Sequence, residues 1–414
     1  MSAAYWCELA WLGGERPQPA VLIELDGERI GRIAVDVAPP PGATRLAGLT
    51  LPGLANAHSH AFQRALRGRT HQPSAGSFWT WREQMYGLAA SLDDRAIWAL
   101  ARATFAEMAL AGVTLVGEFD YLHRSEPLIA AAREAGIRLT LIDACYLHGG
   151  LERFHDPDAH AWAERVSALK EGPGLRLAAG IHSMRAVDPE SAAVVAAFAA
   201  ERGWPLHAHV SEQPAENDEC RARYGRTPLA LLEQAGALSE RFTAVHATHL
   251  SAADERRLRA CGAFCCLCPT TERDLGDGIG EVNGRLALGS DSHAFIDLFE
   301  EARAVELDLR LASGLRGSHS ARELATGATT GGYESLGWPE GGRIRPGALA
   351  DLTTVSLDSV RLAGTRPADA LDAVIFAAAA GDVRHVLVGG REVVRDGTHI
   401  SIDVAAELRA AIPQ

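Results

Sequence analysis

Lysine is almost absent from this sequence: Lys170 stands alone, and arginine supplies the rest of the 40 cationic side chains. Codon bias accounts for that as readily as function does. Against 53 acidic residues the net charge is −13, a balance that argues against a nucleic-acid-binding face but allows a locally positive pocket around a small anion. Long apolar runs are missing as well. No stretch of about twenty uninterrupted apolar residues points to a membrane span. Residues 1–14 carry no Lys or Arg ahead of an apolar run and no small-residue cleavage pattern, so no secretory leader is read there. Cysteines number seven, an odd count in a long chain that fits reduced thiols and a cytoplasmic protein. Cys265 and Cys268 form C-x-x-C around Cys266, but they lie in an apolar run with no second pair, and they read as buried small hydrophobes. No G-x-G-x-x-G opens a helix after the first strand, which weakens a nucleotide-binding sheet.

What is present is globular. With 47% hydrophobic and 22% charged residues, 414 residues suffice for one large domain and a smaller one. Residues 20–25 and 29–35 alternate about Asp26-Gly27, as a hairpin would. At the far end, 349–356, 385–388 and 392–394 are short strand patterns with Gly389-Gly390 as a turn. The two ends are expected to combine, residues 1–50 with 346–414, into one small β-sandwich domain. Between them, in residues 51–345, eight β-prone segments (49–57, 113–119, 139–146, 175–181, 206–210, 243–247, 263–268 and 286–289) are separated by helical patterns. Eight such repeats predict an α/β fold, a closed (β/α)8 barrel of the TIM type, over an open doubly wound sheet.

Active sites of such barrels gather at the C-terminal ends of the strands. There the chain places polar residues repeatedly. The first strand ends in His58-Ser-His60, whose i and i+2 side chains leave a strand on one side. The second leads into Glu118-Phe-Asp-Tyr121, the fourth ends in His182-Ser-Met-Arg185, and the fifth in His209-Val-Ser-Glu212. The sixth passes through His246, and the eighth ends in Ser290-Asp291-Ser292. Three histidines and a carboxylate would hold one divalent ion with a position left for water. Glu212 would shuttle a proton, and His246 and Asp291 would help deprotonate or hold the water. Each signal has an ordinary explanation too. A lone strand-end histidine is usually a core or surface residue, His207 fills the barrel, and Asp291 caps a helix as naturally as it binds metal. His71, His123, His148, His155 and His160 lie in helix or loop patterns. Coincidence at four strand ends is less economical than one metal site.

These motifs, with Leu51-Pro-Gly-Leu-Ala-Asn-Ala-His58 and Arg345-Pro-Gly-Ala-Leu-Ala-Asp351-Leu, resemble the amidohydrolase superfamily. The lone Lys170 precedes the fourth strand, so the resemblance implies the mononuclear deaminase branch, with His58, His60, His209 and Asp291 as ligands of one Zn2+ or Fe2+. His58-Ser-His-Ala-Phe-Gln63-Arg, Ser77-Phe-Trp-Thr-Trp-Arg82-Glu and Leu275-Gly-Asp-Gly278 further resemble the formimidoylglutamate deiminase family of histidine degradation. That resemblance implies hydrolysis of N-formimidoyl-L-glutamate to N-formyl-L-glutamate and ammonia. It places Arg82, Tyr121 and Arg185 on the substrate carboxylates, Gln63 and His182 near the formimidoyl group, and Glu212 and His246 in proton transfer. It also implies a homodimer, and residues 279–283 are shorter than the family leads one to expect. Two guanidinium groups suit a dicarboxylate, although Arg82 could equally stack on Trp79 or Trp81. The competing expectations are deamination of a purine or other aromatic base, and a barrel kept as a non-catalytic scaffold.

Overall fold

The computed structural model describes residues 3–71 and 76–413; the outermost residues of both terminal segments lie outside that range. The chain opens with β1 (Ala4–Ala10), β2 (Gln18–Asp26), β3 (Arg29–Ala34) and β4 (Thr44–Pro52). Next come β5 (Leu54–Ser59), β6 (Val113–Asp120), β7 (Arg138–Cys145), β8 (Leu175–Ile181), β9 (Leu206–Val210), β10 (Phe242–His246), β11 (Phe264–Leu267) and β12 (Arg285–Leu288). It ends with β13 (Leu352–Val355), β14 (Val383–Val388), β15 (Arg391–Arg395) and β16 (Thr398–His399).

β5 to β12 are hydrogen-bonded in chain order, every neighbouring pair parallel. Helices such as Asp94–Leu110, Ser125–Ala135 and Pro189–Arg202 connect them. Several start at side chains that accept from the first free backbone N–H groups, Asp93, Asp158, Asp188, Thr227 and Ser251 among them. The ring is joined where Ser59 bridges Asp291 in parallel. The His60 N–H donates to the Asp291 carbonyl at 3.1 Å, and the Asp291 N–H to the His58 carbonyl at 3.0 Å. The same two bonds that close the barrel set the H-x-H turn against Asp291.

The other eight strands form one mixed sheet in the order β16, β15, β14, β13, β4, β1, β2, β3, so the two ends of the chain share it. The run 49–57, predicted as one strand, is divided between the two sheets. β4 pairs antiparallel with β13 as far as Pro52, and β5 starts at Leu54 beside β6. At the junction a Cβ on Gly53 would come 2.1 Å from Thr114 Oγ1, so only glycine lets the chain change sheets there. Apolar periodicity continues through the junction because both sides are buried. Helices Ala370–Ala377 and Val404–Ala411 leave the mixed sheet and pack on Leu298–Ser313 and Asp94–Leu110.

The N-terminal end of the barrel is plugged. Helix Ala321–Thr326 widens through a π turn at Gly327–Gly331 and ends in Gly332–Ser335. Tyr333 Oη lies 2.8 Å from Thr114 Oγ1, Thr140 Oγ1 donates to the Leu336 carbonyl at 2.8 Å, and His207 Nε2 bonds the Ser335 carbonyl at 3.0 Å. Thr114, Thr140 and His207 are thus engaged by the plug. Beside the plug, Asp351 accepts from Arg138 Nε (2.8 Å), Tyr333 Oη (2.7 Å) and the Gly389 N–H (2.6 Å), fastening the barrel to the mixed sheet. All seven cysteines are free, and Cys265, Cys266 and Cys268 are buried. Among the described residues no helix is long and apolar enough to cross a membrane.

Candidate active site

His58 and His60 leave the end of β5 fully buried. His58 Nε2 lies 3.1 Å from His209 Nε2 of β9, and both His58 Nε2 and His60 Nε2 lie 3.4 Å from Asp291 Oδ1. One donor atom from each of His58, His60, His209 and Asp291 falls within 4.8 Å of all the others. Backbone carbonyls orient two of the rings: His60 Nδ1–H donates to Phe119 O at 3.1 Å, and His209 Nδ1–H to His182 O at 2.7 Å. Their Nε2 lone pairs therefore converge. Burial, reinforced by the neighbouring imidazoles, holds His58 and His60 well below the ordinary histidine value, and His209 at about 4. Three neutral imidazoles and a carboxylate aimed at one point form a donor set that fits a divalent ion of the zinc or iron type.

The H-x-H turn is held from below. Glu118, at the end of β6, accepts from Ser59 Oγ at 2.5 Å and from the Ala61 N–H at 2.7 Å. Its burial pushes the carboxyl up to about 8. Ser59 Oγ also lies 3.2 Å from His293 Nε2, whose Nδ1 reaches Ser290 Oγ at 3.0 Å. Glu118, recognised in the sequence only as part of a motif, therefore positions the loop between the two histidines.

His246 ends β10 with its Nε2 3.7 Å from Glu212 Oε1 and 3.9 Å from Asp291 Oδ2. Its Nδ1 lies 3.3 Å from Glu272 Oε1. Burial disfavours protonation of this ring, but Glu212, Glu272 and Asp291 outweigh it and hold the imidazole well above its ordinary value. Glu212 is also buried, and its Oε2 accepts from Arg185 Nη2 at 2.9 Å. Glu216, one helical turn on, accepts from the Glu212 N–H at 3.2 Å, and burial pushes its carboxyl up to about 7.

A cavity of about 270 Å³ opens over this cluster. Gln63, Arg82, Tyr121, His182, Arg185, Glu212, His246 and Asp291 all line it, with His60 and His209 at its floor and His58 behind them. Gln63 Nε2 donates to Tyr121 Oη at 3.2 Å, while Gln63 Oε1 has no partner among the described residues. Tyr121, raised by burial, keeps its phenolic proton. His182 stacks on Tyr146 with centroids 4.4 Å apart, and burial, with His209 and Arg185 nearby, keeps it neutral. Arg82 lies 4.5 Å over the Trp79 ring, so the stacking expected as a rival role is present, and the same guanidinium faces the cavity. Of the histidines read as bystanders, His148 reaches the rim.

Glu272, Glu216 and Tyr146 escaped the sequence reading. Cys268-Pro-Thr-Thr-Glu272 follows β11 and Tyr146 follows β7, so the strand-end rule could have raised both; Glu216 required knowing where Arg185 points. Leu275-Gly-Asp-Gly278 contributes a tie between loops: Gln213 Nε2 donates to Asp277 Oδ1, and His249 Nε2 to the Asp277 carbonyl. The short 279–283 stretch runs beside β11, where Cys265 Sγ donates to the Glu281 carbonyl.

The sequence profile of the amidohydrolase family matches residues 49–393. The chain is 37% identical to formimidoylglutamate deiminase of Pseudomonas aeruginosa, over 86% of this chain and 87% of that one. It is 31% identical to a 5-methylthioadenosine/S-adenosylhomocysteine deaminase of Natronomonas pharaonis, over 88% and 85%. Among solved structures, an amidohydrolase from Brucella melitensis superposes with a TM-score of 0.88 at 31% identity, covering 99% of each chain.

Proposed function

The chain belongs to the amidohydrolase family, a hydrolase acting on C–N bonds, and on that premise we propose that it converts N-formimidoyl-L-glutamate and water to N-formyl-L-glutamate and ammonia. The observation that carries this reading is the presence of Arg82 and Arg185 in one small cavity with the His58, His60, His209 and Asp291 cluster. An amidine carried by a dicarboxylate matches that combination of cations and a hydrolytic centre in one cavity.

We assign one divalent ion, zinc or iron(II), to His58, His60, His209 and Asp291, where it would supply a nucleophile at neutral pH by lowering the pKa of water to roughly 7. Glu212 takes the proton that water gives up and returns it to the amidine nitrogen that leaves as ammonia; its Oε1 faces the centre beside His246. His246 and Asp291 hold the attacking water against the formimidoyl carbon. Gln63 and His182 orient the amidine through its N–H groups. Tyr121, Arg82 and Arg185 take the carboxylates, with guanidinium forks fixing the angle of approach.

Similarity to a 5-methylthioadenosine/S-adenosylhomocysteine deaminase favours a second substrate class, a purine ring. A neutral purine, however, offers no partner for two cavity arginines, and S-adenosylhomocysteine, with one carboxylate, would supply a partner for only one of them. Ammonia release with each substrate class, before and after chelation, tests the choice. Turnover of formimidoylglutamate that chelation abolishes supports the proposal, and turnover of a purine alone overturns it.

A further inference from the structure

We propose that Glu272 is a positioning residue for this hydrolysis: it holds the His246 ring with Nδ1 turned away and Nε2 presented to the reacting centre. The role rests on the deiminase reading, but its structural half does not.

The backbone makes His246 a residue that needs holding. His246 and Ala247 both adopt positive φ, 64° and 51°, a conformation costly for side chains other than glycine. That turn swings the imidazole off the end of β10 into the site. Within it, His246 Nε2 has no hydrogen-bond partner among the described residues. Glu212 Oε1 at 3.7 Å and Asp291 Oδ2 at 3.9 Å flank it beyond direct bonding distance. That spacing suits groups acting on one small molecule between them. A ring rotated by half a turn would place carbon atoms where the nitrogens are.

Glu272 supplies the restraint. It is 3% exposed, in the first turns of helix Pro269–Leu275, and comes from the neighbouring strand end. Its Oε1 accepts the Cys268 N–H at 2.9 Å and faces His246 Nδ1 at 3.3 Å. The backbone bond fixes the oxygen, and the oxygen then fixes the ring, because a carboxylate only accepts and so demands a hydrogen on Nδ1. The contrast with His60 and His209 is informative. Those rings are oriented by neutral backbone carbonyls, which suffice for a lone-pair donor.

The test uses zinc-loaded wild-type protein, Glu272→Gln and Glu272→Leu, each labelled with 15N-histidine, with His246 assigned from the spectrum of His246→Gln. Wild type and Glu272→Gln are expected to show the hydrogen on His246 Nδ1, and Glu272→Leu to lose that single pattern. With formimidoylglutamate, Glu272→Leu should lose roughly 10–100-fold in kcat at nearly constant KM, and Glu272→Gln less than about tenfold, since it restores orientation without charge. A wild-type 15N pattern and kcat in Glu272→Leu would overturn the proposal, as would a loss carried by KM. If the Leu variant does not fold, a Glu272→Gln protein whose His246 carries its hydrogen elsewhere overturns it equally. A wild-type protein that releases no ammonia from formimidoylglutamate removes the deiminase reading, while the 15N arm still decides what orients His246.

Discussion

Arg185 Nη2 donates to Glu212 Oε2 across 2.9 Å, joining the side chain assigned to a substrate carboxylate to the one assigned to proton transfer. Phe78 covers the guanidinium at 5.6 Å, and Glu216 adds a second buried carboxylate beside it. A substrate carboxylate arriving at Arg185 therefore competes with Glu212 for the same cation.

Arg185→Met should weaken turnover of formimidoylglutamate by an amount equivalent to about 2–5 kcal/mol in kcat/KM, because the substrate carboxylate is left unpaired. Arg185→Lys should recover only part, since an ammonium does not reproduce a two-pronged contact. Formimidoylglycine, lacking the distal carboxylate, separates the contributions. If Arg185 meets only that carboxylate, the mutation adds little further loss with the truncated substrate. Equal losses with both substrates place Arg185 on the α-carboxylate or in support of Glu212, and no loss with either removes it from the site.

Glu212→Gln should keep the metal and the fold and lose about 10²- to 10⁴-fold in turnover, the range of a positioned acid–base group. Steady-state kinetics on metal-replete protein, with elemental analysis of the same sample, is the measurement. Near-normal kcat would rule out the proton-transfer assignment.

One divalent ion per chain is expected at His58, His60, His209 and Asp291. Chelation should abolish turnover, and Zn2+ or Fe2+ should restore it. His209→Ala should reduce the bound metal as well as the rate, which elemental analysis reads directly. A second stoichiometric ion bridged by protein, or full metal content in the absence of His58 and His60, would contradict the assignment.

Asp351→Ala should lower stability by at most about 3–5 kcal/mol, because it leaves the 4% exposed Arg138 with only the exposed Glu28 carboxylate, at 3.2 Å, as its ionic partner. Activity per folded molecule should be unchanged, since Asp351 sits at the plugged end of the barrel. Replacing both partners by apolar residues, Arg138→Met with Asp351→Leu, should recover only part of the loss, since Tyr333 Oη and the Gly389 N–H still lose their acceptor. Denaturant midpoints and specific activities of the variants check both statements. A loss of specific activity without a loss of stability would show coupling to the site.

The metal cluster was legible in the chain because its signals are local. Alternation puts His58 and His60 on one side of a strand, and strand-end placement nominates His209, His246 and Asp291 wherever a parallel barrel forms. Gln63, Arg82, Tyr121, His182 and Arg185, which line the cavity, were legible too, through the family resemblance of short motifs. The limits were local too. The run 49–57 hid a change of sheet at Gly53, since an apolar pattern reports burial and not which sheet buries it.

Residue order alone therefore specified eight strand–helix repeats, their polar C-terminal ends and the chemistry those ends can carry. Tertiary structure decided which of those groups meet. Closure of the ring at Ser59 and Asp291 brings the two ends of the barrel sequence together. The fold then turns Arg185 onto Glu212 and Glu272 behind His246, and spends His207 on the plug. Side-chain periodicity is a property of a few neighbouring residues. Pairings across 26 to 234 positions, such as His246 with Glu272 or Ser59 with His293, arise only once the strands have closed and burial has removed water as the alternative partner.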